Sequence, residues 1–404
     1  MARNLQANVA RTLWLGFFQV FLVIIPIAVP FFQSKGLDMQ DVFVLQALFG
    51  LVVLLTEVPS GYLADLFGRK QTLVAGAAFA AIGHSCLLFA EGFWTLALFE
   101  IFLGISHSLI SGADLALLYD TELALGKDDE EQRQVVGKLY SARTFSEAMA
   151  GLACTVVLLV AAVEQVVWLQ VMIGWVPLLL VVRLVEPPGK RLSGDNHWGN
   201  MVRICTYLFT HSTVLRLCFL ALCIWSLTTF YAVWLLQKLW QLQGIELAHF
   251  GWMWGALSLV AALAGRWAHA VEDAIGSKAL LIVIGIAPAF GYLGMLELGI
   301  VGGLLASSLF FVARGFGLVV LRDALNKRIP SEFRATANSL ASFGFRGAFV
   351  LTGPIVGYAF DLWGMGTALV GLIVLTVAIC VFLILPLVVA VRAAQQPAEM
   401  VAGG

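Results

Sequence analysis

Ionisable side chains recur inside the long apolar runs of this chain, and their spacing sorts them into helical faces. Glu100, His107 and Asp114 follow one another at seven-residue intervals, two turns of helix each. Gly104 and Ser111 fill the same stripe. On one unbroken helix the column spans about 21 Å. It can hand protons along, line a polar cavity, or be a set of separate packing contacts. Tyr140, Arg143, Glu147 and Gly151 share a second face, where Arg143 and Glu147, four apart, can pair directly. Ser339, Ser342, Arg346 and Gly353 make a third; Arg314 lies mid-run in the segment before it, and Asp323 nearer that segment's end. Arg143 and Arg346 read either as flanks of a central cavity or as charges neutralised by acids: Arg143 by Glu147 or Glu57, Arg346 by Asp323. A charged group at the bilayer centre costs at least about 2.5–3.5 kcal/mol, so such groups face protein or water. All are therefore candidates for coupling or for binding a solute. Trp225 and Tyr231, with Thr228 and Thr229, are candidate cavity walls; the alternative is the ordinary gathering of aromatics at membrane interfaces.

The elements that must position these residues follow from composition. Of 404 residues, 60% are hydrophobic and 12% charged, with net charge −1. A soluble chain carries roughly a quarter charged residues, and neither a nucleic-acid footprint nor an acidic tail is present. Reading apolar runs against the roughly 20 residues that cross a bilayer gives twelve segments, near 12–32, 40–60, 71–90, 93–117, 136–162, 165–185, 213–237, 248–270, 278–297, 300–323, 335–360 and 365–390. Helix is the assignment, because unpaired backbone in hydrocarbon costs several kcal/mol per group. With both termini cytoplasmic, one side collects Arg3, Arg11, Arg69, Lys70, Lys127, Arg133, Lys138, Lys190, Arg191, Arg203, Lys278, Lys327, Arg328, Arg334 and Arg392, and the other only Lys35 and Lys238. That asymmetry obeys the positive-inside rule. The first run lacks a small-residue cleavage site and reads as a helix rather than a signal peptide. The six cysteines form no CxxC pair and read as free thiols, with no metal site.

Residues 186–212 interrupt the rhythm. Glu186-Pro187-Pro188-Gly189-Lys190-Arg191 ends the sixth run. Trp198, Met201, Val202, Cys205 and Phe209 then follow helical spacing, with Arg203 on another side, as in a helix lying at a membrane surface. The chain thus divides into a bundle over 1–185, a cytoplasmic linker over 186–212, a second bundle over 213–392, and a cytoplasmic tail over 393–404. The halves look like repeats. Gly61-Tyr62-Leu63-Ala64-Asp65-Leu66-Phe67-Gly68-Arg69-Lys70 is a charged, glycine-bracketed turn between two apolar runs. Gly265 to Lys278 is a worn copy that keeps Gly265, Glu272, Asp273, Gly276 and Lys278.

The stretch 61–70 resembles the loop between helices 2 and 3 of the major facilitator superfamily, G-x-x-x-D-R/K-x-G-R-R/K. Gly61, Asp65, Gly68, Arg69 and Lys70 match, and Leu66 departs. The resemblance implies an all-α fold of twelve transmembrane helices in two pseudo-symmetric six-helix bundles. It also implies that the loop is a gating latch. Asp65 would face the helix start after Pro330, and Arg69 would meet Asp120. Two features of the family's proton-driven drug exporters are absent: Glu100 stands where they carry Arg, and helix 5 lacks their G-P-x-x-G-G pattern. A similar Gly353-Pro354-Ile355-Val356-Gly357 lies in helix 11 instead.

The implied function is secondary active transport of a small organic solute across the cytoplasmic (inner) membrane. The carrier would work by alternating access, as a monomer, proton-coupled and without cofactor, exporting a drug, metabolite or siderophore-like compound. An uptake symporter for an organic anion is the alternative, and a transporter-like sensor or scaffold the alternative of another class. An enzyme is not expected: HExxH, G-x-S-x-G and Walker patterns are missing.

Overall fold

Hydrophobic length sets the architecture. In a computed structural model, residues 2–188, 197–330 and 333–402 are described; they form helices and short connections, with no strand among them. The helices are α1 (Ala2–Gln19), α2 (Ala28–Ser34), α3 (Met39–Phe67), α4 (Arg69–Cys86), α5 (Phe93–Ile110), α6 (Ala113–Ala124), α7 (Asp129–Val160), α8 (Val163–Val181), α9 (His197–Thr210), α10 (Thr213–Leu220), α11 (Ser226–Leu242), α12 (Leu247–Glu297), α13 (Gly299–Asn326), α14 (Arg334–Ile379) and α15 (Leu385–Ala402).

Among the described residues, nine helical stretches are long and apolar enough to cross a membrane. Two are too long for one crossing. Leu247–Glu297 and Thr336–Ala393 hold 51 and 58 residues, about 75 and 85 Å of helix against a hydrocarbon core of about 30 Å. The first turns back at Gly276 (φ 82°, ψ 149°) and the second at Gly364 (φ 78°, ψ 172°), a left-handed region that glycine enters without steric cost. Divided there, and with the broken first segment added, the described residues make twelve crossings. Gly68, between α3 and α4, has nearly the same backbone angles as Gly276 (φ 98°, ψ 153°). The worn second copy of the charged turn therefore keeps its bend.

Two expected helices are interrupted. The run 12–32 is not one helix: α1 stops at Gln19, a 3-10 turn spans Ile25–Ile27, and α2 follows. Pro26 supplies the reason, since it lacks an N–H and its ring crowds the carbonyl four residues back. The run 93–117 breaks at Ser111–Gly112, where Gly112 takes φ 86°. Glu100 and His107 thus lie on α5 and Asp114 on α6, and the single unbroken column expected from their spacing does not exist. Single π turns interrupt two further runs, at Ala221–Trp225 and Cys380–Ile384. All six cysteines are free.

The chain forms two compact units, Met1–Ser193 with Gly244–Leu259, and Gly194–Gln243 with Val260–Gly404. The division falls within α12. Leu15, Leu73, Ile110, Leu117 and Val181 belong to the core of the first unit; Trp225, Leu280, Ile284, Leu321 and Ile384 belong to that of the second. In the first unit, α12 begins against α7 through glycines. A Cβ on Gly151 would lie 2.5 Å from the Gly251 carbonyl oxygen, and the Trp252 N–H donates to Thr155 Oγ1 at 2.8 Å. The linker helix α9 exposes Val202 and Phe209 but buries Ile204 and Leu208 in the core of the second unit, a second apolar side that the sequence pattern left out. Trp198 and Met201, also read as part of the surface face, lie outside the described side chains. Arg203 stacks over Phe333 with 4.9 Å to the ring centroid.

Candidate functional site

The break at Gly112 builds the more telling of two charged clusters. It puts Asp114 in the first turn of α6, where one carboxylate oxygen accepts the Leu115 N–H at 2.7 Å. The end of a helix that presents free N–H groups favours a carboxylate. The other oxygen forms a close ion pair with the Arg143 guanidinium of α7. Asp114 is 1% exposed and Arg143 23%, so the pair is largely withdrawn from solvent. Gln19, the last residue of α1, accepts a further bond from Arg143 at 3.3 Å. Arg143 Nε is buried and has no acceptor among the described residues. Three helices thus converge on one cation that is charge-balanced and still holds an unused donor.

The close ion pair of Arg143 is with Asp114, across the contact of α6 with α7, a partner that spacing along one helix did not suggest; Glu147, one turn away on α7, is exposed. Gln19 was not anticipated, because a neutral amide at a helix end gives no signal in a pattern of charges. His107 is half-buried and edge-on to Phe49, with ring centroids 5.8 Å apart. Nearby on the α3–α5 contact, the Thr56 hydroxyl donates to Ser108 Oγ at 2.7 Å. Glu57 is half-buried, its carbonyl accepting the Ser60 hydroxyl. Glu100 is 4% exposed and accepts from Gln46 of α3 at 2.7 Å.

The second cluster surrounds the charged turn. The Arg69 guanidinium and the Asp120 carboxylate are 2.9 Å apart. Glu186, just beyond α8, accepts the backbone N–H groups of Arg69 and Lys70 at 2.8 and 2.7 Å. Gly68 makes this possible. Its left-handed φ aims both N–H groups outward, and a Cβ there would sit 3.1 Å from a Glu186 oxygen. Asn8 pins the same segment, donating to the Val185 carbonyl at 2.7 Å and accepting its N–H at 3.0 Å. Gly61 lies open in α3. The Asp65 side chain, and Ser331 and Glu332 after Pro330, lie outside the described residues.

In the second unit the expected cavity walls are closed. Trp225 is 1% exposed and its indole N–H donates to the Ile284 carbonyl at 3.2 Å. Tyr231 is fully buried, its hydroxyl 2.5 Å from Thr352 Oγ1. Both are core residues here, because each polar tip finds a partner within the core. Arg314 and Arg346 are half-buried on α13 and α14. The Asp323 carboxylate, expected to neutralise Arg346, pairs with Lys327 at 2.6 Å, one turn away on its own helix.

The sequence matches the family model described as Major Facilitator Superfamily over residues 12–326. The chain belongs to that superfamily. Three solved structures show the same fold. One is a mutant form of the nucleoside transporter NupG (TM-score 0.79, 11% identity, covering 94% of this chain and 99% of that one). Another is a bacterial homologue of the human lysosomal transporter Spinster (0.73, 14%, 96% and 97%). The third is a D-xylose–proton symporter (0.71, 14%, 95% and 96%). No curated protein matches the sequence. As a superfamily member the protein is a multi-pass membrane transporter and not an enzyme.

Within this superfamily chain, Glu186 was missed at first because a lone acid ahead of two prolines reads as the end of a helix. Its placement is nonetheless specific: Pro187 and Pro188 stiffen the segment that presents it. Glu186→Gln keeps the shape but loses charge at two charge-assisted bonds and at a helix N-terminus. The expected cost is about 1 kcal/mol, read as a lower midpoint in thermal unfolding of the purified protein. An unchanged midpoint would show that the cap is only geometric.

Proposed function

We propose that this protein is a proton-coupled secondary active transporter of the cytoplasmic (inner) membrane, with both termini in the cytoplasm. It exports a small polar organic solute, such as a drug, metabolite or siderophore-like compound, by alternating access, and works as a monomer. The two bundles, 1–185 and 213–392, are the moving parts, and the Asp65 turn latches them. One observation carries the reading: the buried Arg143–Asp114 pair at a helix break, with Gln19 beside it and an unfilled donor on Arg143. Buried ion pairs add little to stability compared with apolar packing, and ionisable groups within membrane helices mark solute or ion pathways. A scaffold has no use for one.

Charge balance bears on the substrate. Asp114 already neutralises Arg143, so the pair offers hydrogen bonds rather than net positive charge. That favours a neutral or zwitterionic solute over the organic anion of the alternative uptake reading.

The test is reconstitution into liposomes containing a pH indicator, with ethidium, uridine, xylose and dialanine as probes. Proton movement opposite to the flux of one probe is the expected result. Movement in the same direction would overturn export, and flux without protons would overturn coupling. If no probe moves with or without a pH gradient, the sensor reading replaces the carrier.

A further inference from the structure

Glu100 differs from the other acid of its segment. Asp114 has Arg143, whereas Glu100 makes no ion pair among the described residues. It is 4% exposed, inside a helix long and apolar enough to cross a membrane. Its hydrogen-bond partner is the neutral amide of Gln46, which donates to Oε1 at 2.7 Å. The elements packed on α5 bring no compensating cation to it. On α3 the ionisable groups are Asp41, Glu57, Tyr62 and Asp65. On α4 they are His84 and Cys86, with Arg69 and Lys70 at that helix's opposite end. On α6 they are Asp114, Tyr119, Asp120 and Glu122, and α5 itself adds His107. His84 is the nearest in register, its ring edge-on to Phe99, but its Nδ1 bonds the Ala80 carbonyl at 2.8 Å.

An ionised carboxylate withdrawn from water with no cation is costly enough that such a group neutralises itself by holding a proton. Gln46 is suited to both states of such a group. Its N–H₂ donates equally to the carbonyl oxygen of a carboxylic acid and to a carboxylate, so the site need not be rebuilt when the proton leaves. We infer that Glu100, positioned by Gln46, is the group that takes up and releases the transported proton, while the Arg143–Asp114 pair handles the solute. The step is a simple dissociation: the O–H bond of the Glu100 carboxyl breaks, its electron pair stays on the carboxylate, and the proton passes to water on the side then open.

This inference rests on the transporter reading, but its first test does not. Infrared difference spectra of the purified protein in lipid, recorded between neutral and alkaline pH, should show the carbonyl stretch of a protonated carboxyl. The band should vanish in Glu100→Gln and persist in Asp114→Asn. It should move to higher frequency in Gln46→Leu, where the carbonyl loses its donor. A wild-type protein without the band, or a band unaffected by Glu100→Gln, overturns the assignment. Because Gln is the near-isostere of a protonated Glu, Glu100→Gln is expected to fold. In liposomes it should exchange the probe solute at equal concentrations while losing accumulation driven by a pH gradient. Gradient-driven accumulation at the wild-type rate would overturn the coupling role even if the band behaves as expected.

Discussion

Arg143→Met is expected to abolish transport and to destabilise the protein by about 3–5 kcal/mol, the cost of leaving a buried charge without its partner. Asp114 has no exposure through which water could replace the guanidinium. Its remaining bond is to the Leu115 N–H, and a helix N-terminus offsets the loss by no more than about 0.3–2 kcal/mol. The double variant Arg143→Met/Asp114→Asn removes both charges. It should recover most of the lost stability, since a buried pair replaced by neutral groups is often close to neutral in energy, and yet remain inactive. Thermal unfolding in detergent and solute flux in liposomes together check this. A single variant as stable as wild type would mean that the pair is hydrated in the protein. An active double variant would remove the pair from the solute pathway.

The fold was largely legible because bilayer thickness leaves little freedom. Apolar runs of about 20 residues can only be helices that cross, and the charged turns between them can only be loops. Failures occurred where composition stays apolar through a break. Val20 to Ile24 read as membrane helix, yet Pro26 ends the regular ladder there. Gly112 sits in an apolar stretch as Gly104 does, but only Gly112 takes a left-handed φ, and nothing in residue type separates the two. The site was legible by half. Charged residues in greasy surroundings announced themselves, so Asp114, Arg143 and Glu100 were singled out. Their partners were not. Spacing along one helix points to i,i+4 neighbours such as Glu147, whereas Arg143 and Asp323 show that helix packing and local geometry each decide in turn. Gln19 and Gln46 are uncharged and carry no sequence signal, although each fixes an ionisable group in place.

Gly151→Val is expected to have the other large effect. Helices α7 and α12 meet there with backbone against backbone. A Cβ at 151 would come within 2.5 Å of the Gly251 carbonyl oxygen and 3.1 Å of the Gly255 nitrogen. A Cβ at Gly255 would in turn sit 3.2 Å from the Ala148 carbonyl oxygen. Overpacking a core of flexible side chains costs about 1–3 kcal/mol, but here the obstructing atoms are main chain and cannot rotate aside. The helices must separate, which also strips the Trp252 N–H from Thr155 Oγ1. The expected result is a loss at or above the top of that range and no transport. Gly137 serves as the internal control: it lies on the same helix with open space around its Cα. Gly137→Ala should be neutral or raise stability by up to about 1 kcal/mol through helix propensity. Disulfide formation between cysteines placed at 155 and 252 reports the spacing directly, and it should be lost in Gly151→Val and retained in Gly137→Ala. Equal cross-linking in the two variants would mean that the helices do not touch at this crossing, and the close approach of α7 and the start of α12 would have to be abandoned.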